Sequence, residues 1–411
     1  MRVRCTGILL AFACAVSIPA QSNTTPSQEL LQVLRKEKVA KSLAWIDASE
    51  NRVVESLISL SSIISPSGRE HERAGWLAER MRAIGLEDVY IDAAPNVVGR
   101  IKGRSGRAVI FVTTLDDLAT IADLQRTGGQ RPHRRGERVI GPATEVQSVT
   151  AAVLLAAEAL VRAGVSPEHD IVIASVAQEE TGLIGMKALF DAWKDRAVAW
   201  VDVLGDGQEI VCGAGFVHWW KIVAHGPGGH TEEGRFPSLN LGIARAVENI
   251  LALPQADQHE HTFINVAIIQ SGEVYNHRPS SGWFSLDLRS MQGEVLNEIE
   301  AETRAVLHRV EAETGIRFDM HSVVAIDGGQ VPEARESRLV QLAVEVSRHL
   351  GYDPIVSSRG CCNMSVPVAH GRTAIGLHGV RGGQRATVEE WASIPAMIRT
   401  AKYVTLLAAT Y

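Results

Sequence analysis

Two kinds of hydrophobic spacing divide this chain. From residue 28 to 64 apolar side chains recur at helical intervals, and the run closes at Ser65-Pro66-Ser67-Gly68. A further helix is expected over 70–84, stopped by Gly85. Short β-branched segments follow at 89–91 and 97–101, then the unbroken apolar run Ala108-Val109-Ile110-Phe111-Val112-Thr113. A run without polar alternation suits a strand covered on both faces, as inside a parallel sheet. Residues 119–140 read as a long polar loop, 148–163 as an Ala/Leu-rich helix ended by Gly164, and HDIVIASVA at 169–177 as a second buried strand. Strands alternating with helices of this length imply βαβ units.

The spacing changes after Cys212. Strands are expected at 217–224, 262–271, 282–288 and 317–324, with helices at 239–253 and 294–314, which is an α+β unit on an antiparallel sheet. Alternation resumes after Pro332: helix 339–350, strands 354–357 and 373–377, helix 388–407. The expected fold class is α/β. A mostly parallel-sheet domain spans 21–212 and 329–411, and an α+β domain is inserted at 213–328.

Composition narrows the function classes. A chain of 411 residues can bury a large core without disulfides. The net charge of −6 comes from well-mixed charges, and no basic run interleaved with aromatics points to nucleic acid. The one basic cluster, RPHRRGER at 131–138, reads as a solvated loop. Met1-Arg2-Val3-Arg4, an apolar stretch from Gly7 to Ile18 and Pro19-Ala20-Gln21 read as a signal peptide over 1–20, too short for a permanent span. The mature protein is therefore expected to be exported, periplasmic or secreted, with no membrane span. Cys212, Cys361 and Cys362 remain after that segment. Adjacent cysteines rarely bridge because their Cβ vectors diverge, so no disulfide scaffold is expected. Cys361 and Cys362 are soft ligands, a nucleophile or packed, inert thiols, the last being the blander reading.

Reactive groups in open α/β sheets gather at the carboxyl ends of strands. Three segments lie there: Thr113-Thr114-Leu115-Asp116-Asp117, Gln178-Glu179-Glu180-Thr181-Gly182, and Leu204-Gly205-Asp206-Gly207. Adjacent carboxylates such as Glu179 and Glu180 are costly at a buried strand end unless a cation, a proton or hydrogen bonds offset them. Gly226-Pro227-Gly228-Gly229-His230-Thr231 adds a glycine-rich turn with one imidazole.

The order of these motifs, with Ser65-Pro-Ser-Gly-Arg-Glu, Tyr275-Asn276-His277-Arg278-Pro279, Leu286-Asp287-Leu288-Arg289-Ser290, Arg359-Gly360 and Thr387-Val388-Glu389-Glu390-Trp391, resembles the co-catalytic zinc peptidase and amidohydrolase family of carboxypeptidase G, aminoacylase and peptidase T. The resemblance runs from about residue 50 to the end. It implies a catalytic domain of zinc-peptidase type with an inserted lid and dimerisation domain, and a homodimer through that lid. It also implies Glu179 as general acid/base, Asp116 as the aspartate of the family's His-x-Asp motif with a catalytic role, and His230 as the lid histidine that steadies an oxyanion. Asn276, Arg289 and Arg359 match substrate-binding positions, and Glu145, Glu180 and Asp206 match metal ligands.

The departures fall on the imidazoles. Thr114 stands where the family has its first ligand histidine, and Ala386, or Arg385 with a one-residue shift, where it has the last. The family's Gly-Gly-Ser/Thr-Asp run reads Gly360-Cys361-Cys362-Asn363. The cofactor expected is either none or a divalent metal: zinc by resemblance, magnesium or manganese by the all-oxygen ligand type. A guanidinium at Arg385 could itself neutralise the carboxylates, and His133 and His378 are candidate substitute imidazoles. The function expected is a peptidase- or amidohydrolase-like enzyme for a small, carboxylate-bearing amide or peptide substrate, with a non-standard or absent zinc centre. The alternative is a catalytically inactive exported binding protein on the same scaffold.

Overall fold

The computed structural model describes residues 27–129 and 131–411; the expected signal peptide lies outside the described residues. Eight strands form the main sheet, in the order Glu87–Ile91, Val97–Ile101, Asp170–Val176, Ala108–Thr114, Ala197–Val203, Ala374–His378, Glu209–Val211 and Ile355–Ser357. Ala108–Thr114 is parallel to both neighbours, and Ala374–His378 is parallel to Ala197–Val203. Every residue of the two apolar runs Ala108–Thr114 and Asp170–Val176 is buried, which is why neither shows polar alternation.

Helix Thr144–Ala163 packs on this sheet and against helices Glu37–Asp47, Glu50–Ser62 and Ile394–Thr410. It is long and apolar enough to cross a bilayer by length and composition, but it is a buried core helix. It begins four residues earlier than its apolar spacing suggests, which puts Glu145 in its first turn, where the helix dipole favours a carboxylate.

A separate antiparallel sheet has Phe216–His225 at its centre, between Ser281–Ser290 and Arg317–Ile326. Burial in Ser281–Ser290 alternates residue by residue, the signature of a sheet covered on one face. Helices Leu239–Leu251 and Gly293–Thr314 cover that face and close a core of their own. The fold is thus α/β with a mixed, mostly parallel sheet and a separate α+β unit.

Several expected elements differ. The segment 28–64 is three helices, Gln28–Leu34, Glu37–Asp47 and Glu50–Ser62, and 262–271 is two short strands, Phe263–Asn265 and Ile269–Ser271. The supposed loop at 119–140 holds helix Ala119–Thr127 and a hairpin, His133–Arg135 with Arg138–Ile140. The basic cluster is therefore partly structured: Arg138–Ile140 pairs with Trp391–Ser393, and the Arg138 guanidinium lies 3.9 Å over the Trp391 ring. That pairing also delays the last helix, which starts at Ile394 rather than at 388, capped by the Ser393 hydroxyl with Pro395 in its first turn.

Candidate active site

The carboxyl ends of three neighbouring parallel strands carry the acidic groups. After Ala108–Thr114 the chain turns through Asp116 and Asp117, both fully buried. Asp117 accepts from Arg73 at 2.6 Å, and Arg73 also donates to the Leu115 carbonyl, so the turn is clamped from beneath. Asp116 accepts from the Ser67 hydroxyl at 2.6 Å and from the backbone N–H groups of Glu179 at 2.9 Å and Glu180 at 3.2 Å. Asp116 thereby aims the Glu179-Glu180 pair. Burial pushes its carboxyl up to about 6, against the pull of those hydrogen bonds.

Glu179 follows the buried strand Asp170–Val176 and is half-buried. Its carboxyl is held well above the usual range, first by burial and then by the charges of Glu180, Asp116 and Asp202, while a hydrogen bond with Cys362 opposes the shift. Asp202, inside Ala197–Val203, accepts from the Met364 N–H at 3.2 Å and from Asn363 Nδ2 at 3.4 Å, and burial pushes it up to about 7. Asn363 Nδ2 also reaches the Thr114 hydroxyl at 3.3 Å, so Thr114 sits inside this buried network.

The three carboxylates matched to metal-ligand positions each meet an arginine. Glu145 Oε1 accepts from Arg381 Nε at 2.5 Å, and Arg385 Nε is 3.8 Å from its other oxygen. Glu180 Oε1 accepts from Arg385 Nη2 at 2.5 Å. Asp206 Oδ2 accepts from Arg399 Nε and Nη2 at 3.0 and 2.9 Å, while its Oδ1 takes the Val380 N–H at 3.0 Å. The strand Gly382–Gly383 carries Arg381 and Arg385 inward: a Cβ at Gly382 would lie 1.9 Å from the Trp391 carbonyl, so only glycine allows this pairing. Arg385, not Ala386, points at the site. The Ala386 N–H is given to buried Glu390, whose carboxyl burial pushes up to about 7. Glu390 also takes the Glu145 N–H at 2.9 Å.

The two candidate substitute imidazoles do not join this cluster. His133 is exposed and turned to the Arg131 carbonyl. His378 makes no hydrogen bond to a site carboxylate, its Nε2 is buried without a partner, and burial lowers its pKa. Among the described residues no group of three or more His, Cys, Asp or Glu side chains is arranged to hold a metal ion.

The inserted unit contributes two further groupings. Half-buried His230 accepts the Glu232 N–H on Nδ1 at 3.3 Å, which leaves Nε2 as the protonated nitrogen of the neutral ring. Asn276 Nδ2 lies 3.1 Å from that Nε2, so the two side chains bond with the amide turned to present its Oδ1. Neither residue hydrogen-bonds to Glu179. Arg289 and Arg359 instead share a cleft of about 370 Å³ between the two units with His261, Phe263 and Cys361. Arg289 pairs with Asp287 at 3.0 Å, and Arg359 Nη1 donates to His261 Nε2 at 2.8 Å.

The structure therefore assembles Asp116, Glu179, Glu180 and Glu145 at one place, Arg289 and Arg359 at a second, and His230 with Asn276 at a third. Asp206 is tied down by Arg399. Sequence reasoning missed Asp202, Asn363, Glu390, Arg381, Arg399 and His261. Glu390 and Asn363 lay in quoted motifs without a role assigned, and Arg381 sits four residues before Arg385 in a glycine-rich segment. Cys361 also departs from the packed-thiol expectation, because it is exposed.

Residues 123–410 match the model of peptidase family M20/M25/M40. Carboxypeptidase G2 of Pseudomonas sp. (strain RS-16) is 22% identical over 342 residues, 80% of this chain and 79% of that protein. The aminopeptidase PepT of Bacillus cereus superposes with a TM-score of 0.72 at 19% identity, covering 88% of this chain and 98% of the other. The YXEP protein of Bacillus subtilis, described as a dinuclear metal binding peptidase, superposes at 0.63 with 14% identity, covering 88% and 98%. At these identities the two structures speak to the fold.

Proposed function

The chain belongs to peptidase family M20/M25/M40, and on that premise we propose that it is an exported hydrolase of amide or peptide-like bonds in a small, carboxylate-bearing substrate, working without a zinc pair. The observation that carries this reading is the pairing of Glu145, Glu180 and Asp206 with Arg381, Arg385 and Arg399. Zinc sites favour nitrogen and sulfur donors. Here the matched donors are all carboxylate oxygens, their charge is already met by guanidinium groups, and Thr114 and Arg385 stand at the imidazole positions. These residues do not fit two zinc ions.

In this reading residues 213–328 act as the lid. Arg289 and Arg359 hold the substrate carboxylate in the cleft, where paired guanidinium groups favour planar anions. Glu179 moves the proton between water and the leaving nitrogen, with Asp116 fixing its backbone. His230 offers Nε2–H to the developing oxyanion when the lid carries it to the substrate. Because burial and the neighbouring acids raise the Glu179 carboxyl, turnover that needs its ionised form rises with pH above the ordinary carboxylate range.

Elemental analysis of the purified protein, run beside turnover of N-acyl amino acids and dipeptides with and without chelator, tests the proposal. Expected are substoichiometric zinc, chelator-indifferent turnover, and a loss of roughly 10²–10⁴-fold in Glu179→Gln. Stoichiometric zinc with chelator-sensitive activity would sink the metal-free reading. A second reading, a binding protein without turnover, draws on the same arginines, since they occupy the carboxylates that would otherwise hold a Lewis acid. Ligand-dependent thermal stabilisation with no product from any probe would select it.

A further inference from the structure

Adjacent cysteines in extended backbone point apart, so a bridge between Cys361 and Cys362 is not expected from the sequence. The fold places them otherwise. Cys361 is extended, with φ −154° and ψ −161°, whereas Cys362 takes a left-handed φ of 69°. That reversal swings both side chains to one side, and their sulfurs lie 3.0 Å apart. A non-glycine residue in this region is strained and persists where its surroundings over-determine it. Here the surroundings are the turn Cys362–Met364, whose Asn363 side chain and Met364 N–H are both tied to buried Asp202.

The two thiols have different environments. Cys361 is exposed on the cleft wall beside Arg289 and Arg359. Cys362 is half-buried behind it, close enough to the Glu179 carboxyl to act on its charge. The hydrogen bond from Cys362 lowers the pKa of Cys361, helped by the charges of Arg289 and Arg381 and opposed by burial. The same contact, with burial and the charge of Glu179, holds Cys362 well above the usual thiol range. An accessible thiolate with a second thiol at its back is the arrangement that thiol–disulfide exchange requires.

We propose that Cys361 and Cys362 are a reversible redox-modification site, closing to a vicinal disulfide by exchange with a low-molecular-weight disulfide. The Cys361 thiolate attacks one sulfur of that reagent, forming a mixed disulfide and expelling one thiolate. Cys362 then gives up its proton and attacks Cys361 Sγ, expelling the second thiolate. Two protein thiols become one S–S bond, and the reagent leaves as two thiols carrying the two protons. Closure removes the thiol proton shared by the pair and places a rigid ring on the cleft wall beside Arg289 and Arg359. The site stands on the geometry of the pair and holds whether or not Glu179 is catalytic.

The test incubates the reduced full chain with oxidised glutathione, quenches it with acid, and reads intact mass and peptide maps. The wild-type protein is expected to lose two hydrogens, retain no glutathione and regain both thiols with dithiothreitol. Cys362→Ser lacks the resolving thiol and is expected to keep one glutathione on Cys361. Cys212→Ala, altered at a buried thiol turned to the Ser357 carbonyl, closes like the wild type. Glutathione retained on Cys361 of the wild type, a bridge through Cys212, or no reaction at either cysteine would each overturn the proposal. Metal content and turnover do not enter this readout, so its failure is separate from failure of the hydrolase reading.

Discussion

The carboxylate floor of the main domain and the polar face of the inserted unit are built in opposite ways. On the floor, Asp116, Asp117, Glu145, Asp202 and Asp206 are buried, and each is tied by hydrogen bonds or ion pairs to groups far away in sequence. On the inserted unit, Asn276 is exposed, His230 is half-buried, and they bond chiefly to each other and to their own turn. The floor is an electrostatic unit whose members depend on one another, because an unpaired charge away from water is costly. The polar face is nearly independent of the core, so it is free to vary or to move without unfolding the chain. Family resemblance in the two places therefore means different things. On the floor each matched acid is held by a partner from a distant segment; on the face His230 and Asn276 are held mainly by neighbouring turns.

Removing the guanidinium groups is expected to have the largest effect on this contrast. Arg381→Ala with Arg385→Ala leaves Glu145 and Glu180 without their cations. Breaking a buried pair costs about 3–5 kcal/mol, and the partial exposure of Arg385 reduces this to roughly 2–3 kcal/mol in urea unfolding. Millimolar manganese or magnesium should raise the melting temperature of that variant and not of the wild type. A variant as stable as the wild type would mean that the arginines do not balance the floor.

A smaller effect is expected from Asp202→Asn, read as a pH dependence. The folded-state pKa of Asp202 is raised to about 7, against an unfolded value of about 4. Between these values the native state binds more protons than the unfolded state, so this group's contribution to stability falls as pH rises and levels off above 7. Buried Asp116 and Glu390, raised to about 6 and about 7, act in the same direction. Asp202→Asn should flatten part of that slope and narrow the stability difference between acid and neutral pH; melting curves from pH 4 to 8 with an unchanged slope would contradict the burial argument.

The smallest change belongs to the inserted unit. His230→Ala should move stability by less than about 0.5 kcal/mol, as for a surface substitution. If the hydrolase reading holds, it should lower kcat far more than it raises KM. A large loss of stability would show that this face is coupled to the core after all.

Much of the frame was legible in the chain itself. The two apolar runs located the central strands because full burial removes the need for polar alternation, and Glu179-Glu180 stood out because acids directly after such a run must be compensated. The counter-charges were not legible. Arg381 meets Glu145 across 236 residues, Arg385 meets Glu180 across 205, and Arg399 meets Asp206 across 193. No local pattern links such partners. The hairpin at 133–140 was hidden for a similar reason, since its outer partner Trp391–Ser393 lies at the far end of the chain.

What the sequence determined by itself was the class of fold, the order of its motifs and which acids sit at strand ends, because burial and periodicity are written in neighbouring residues. Which cations face those acids, and whether two adjacent sulfurs meet, depended on tertiary structure alone. The first is a matter of strands brought together from distant parts of the chain. The second turns on the sign of one backbone angle, at Cys362, that residue identity does not dictate.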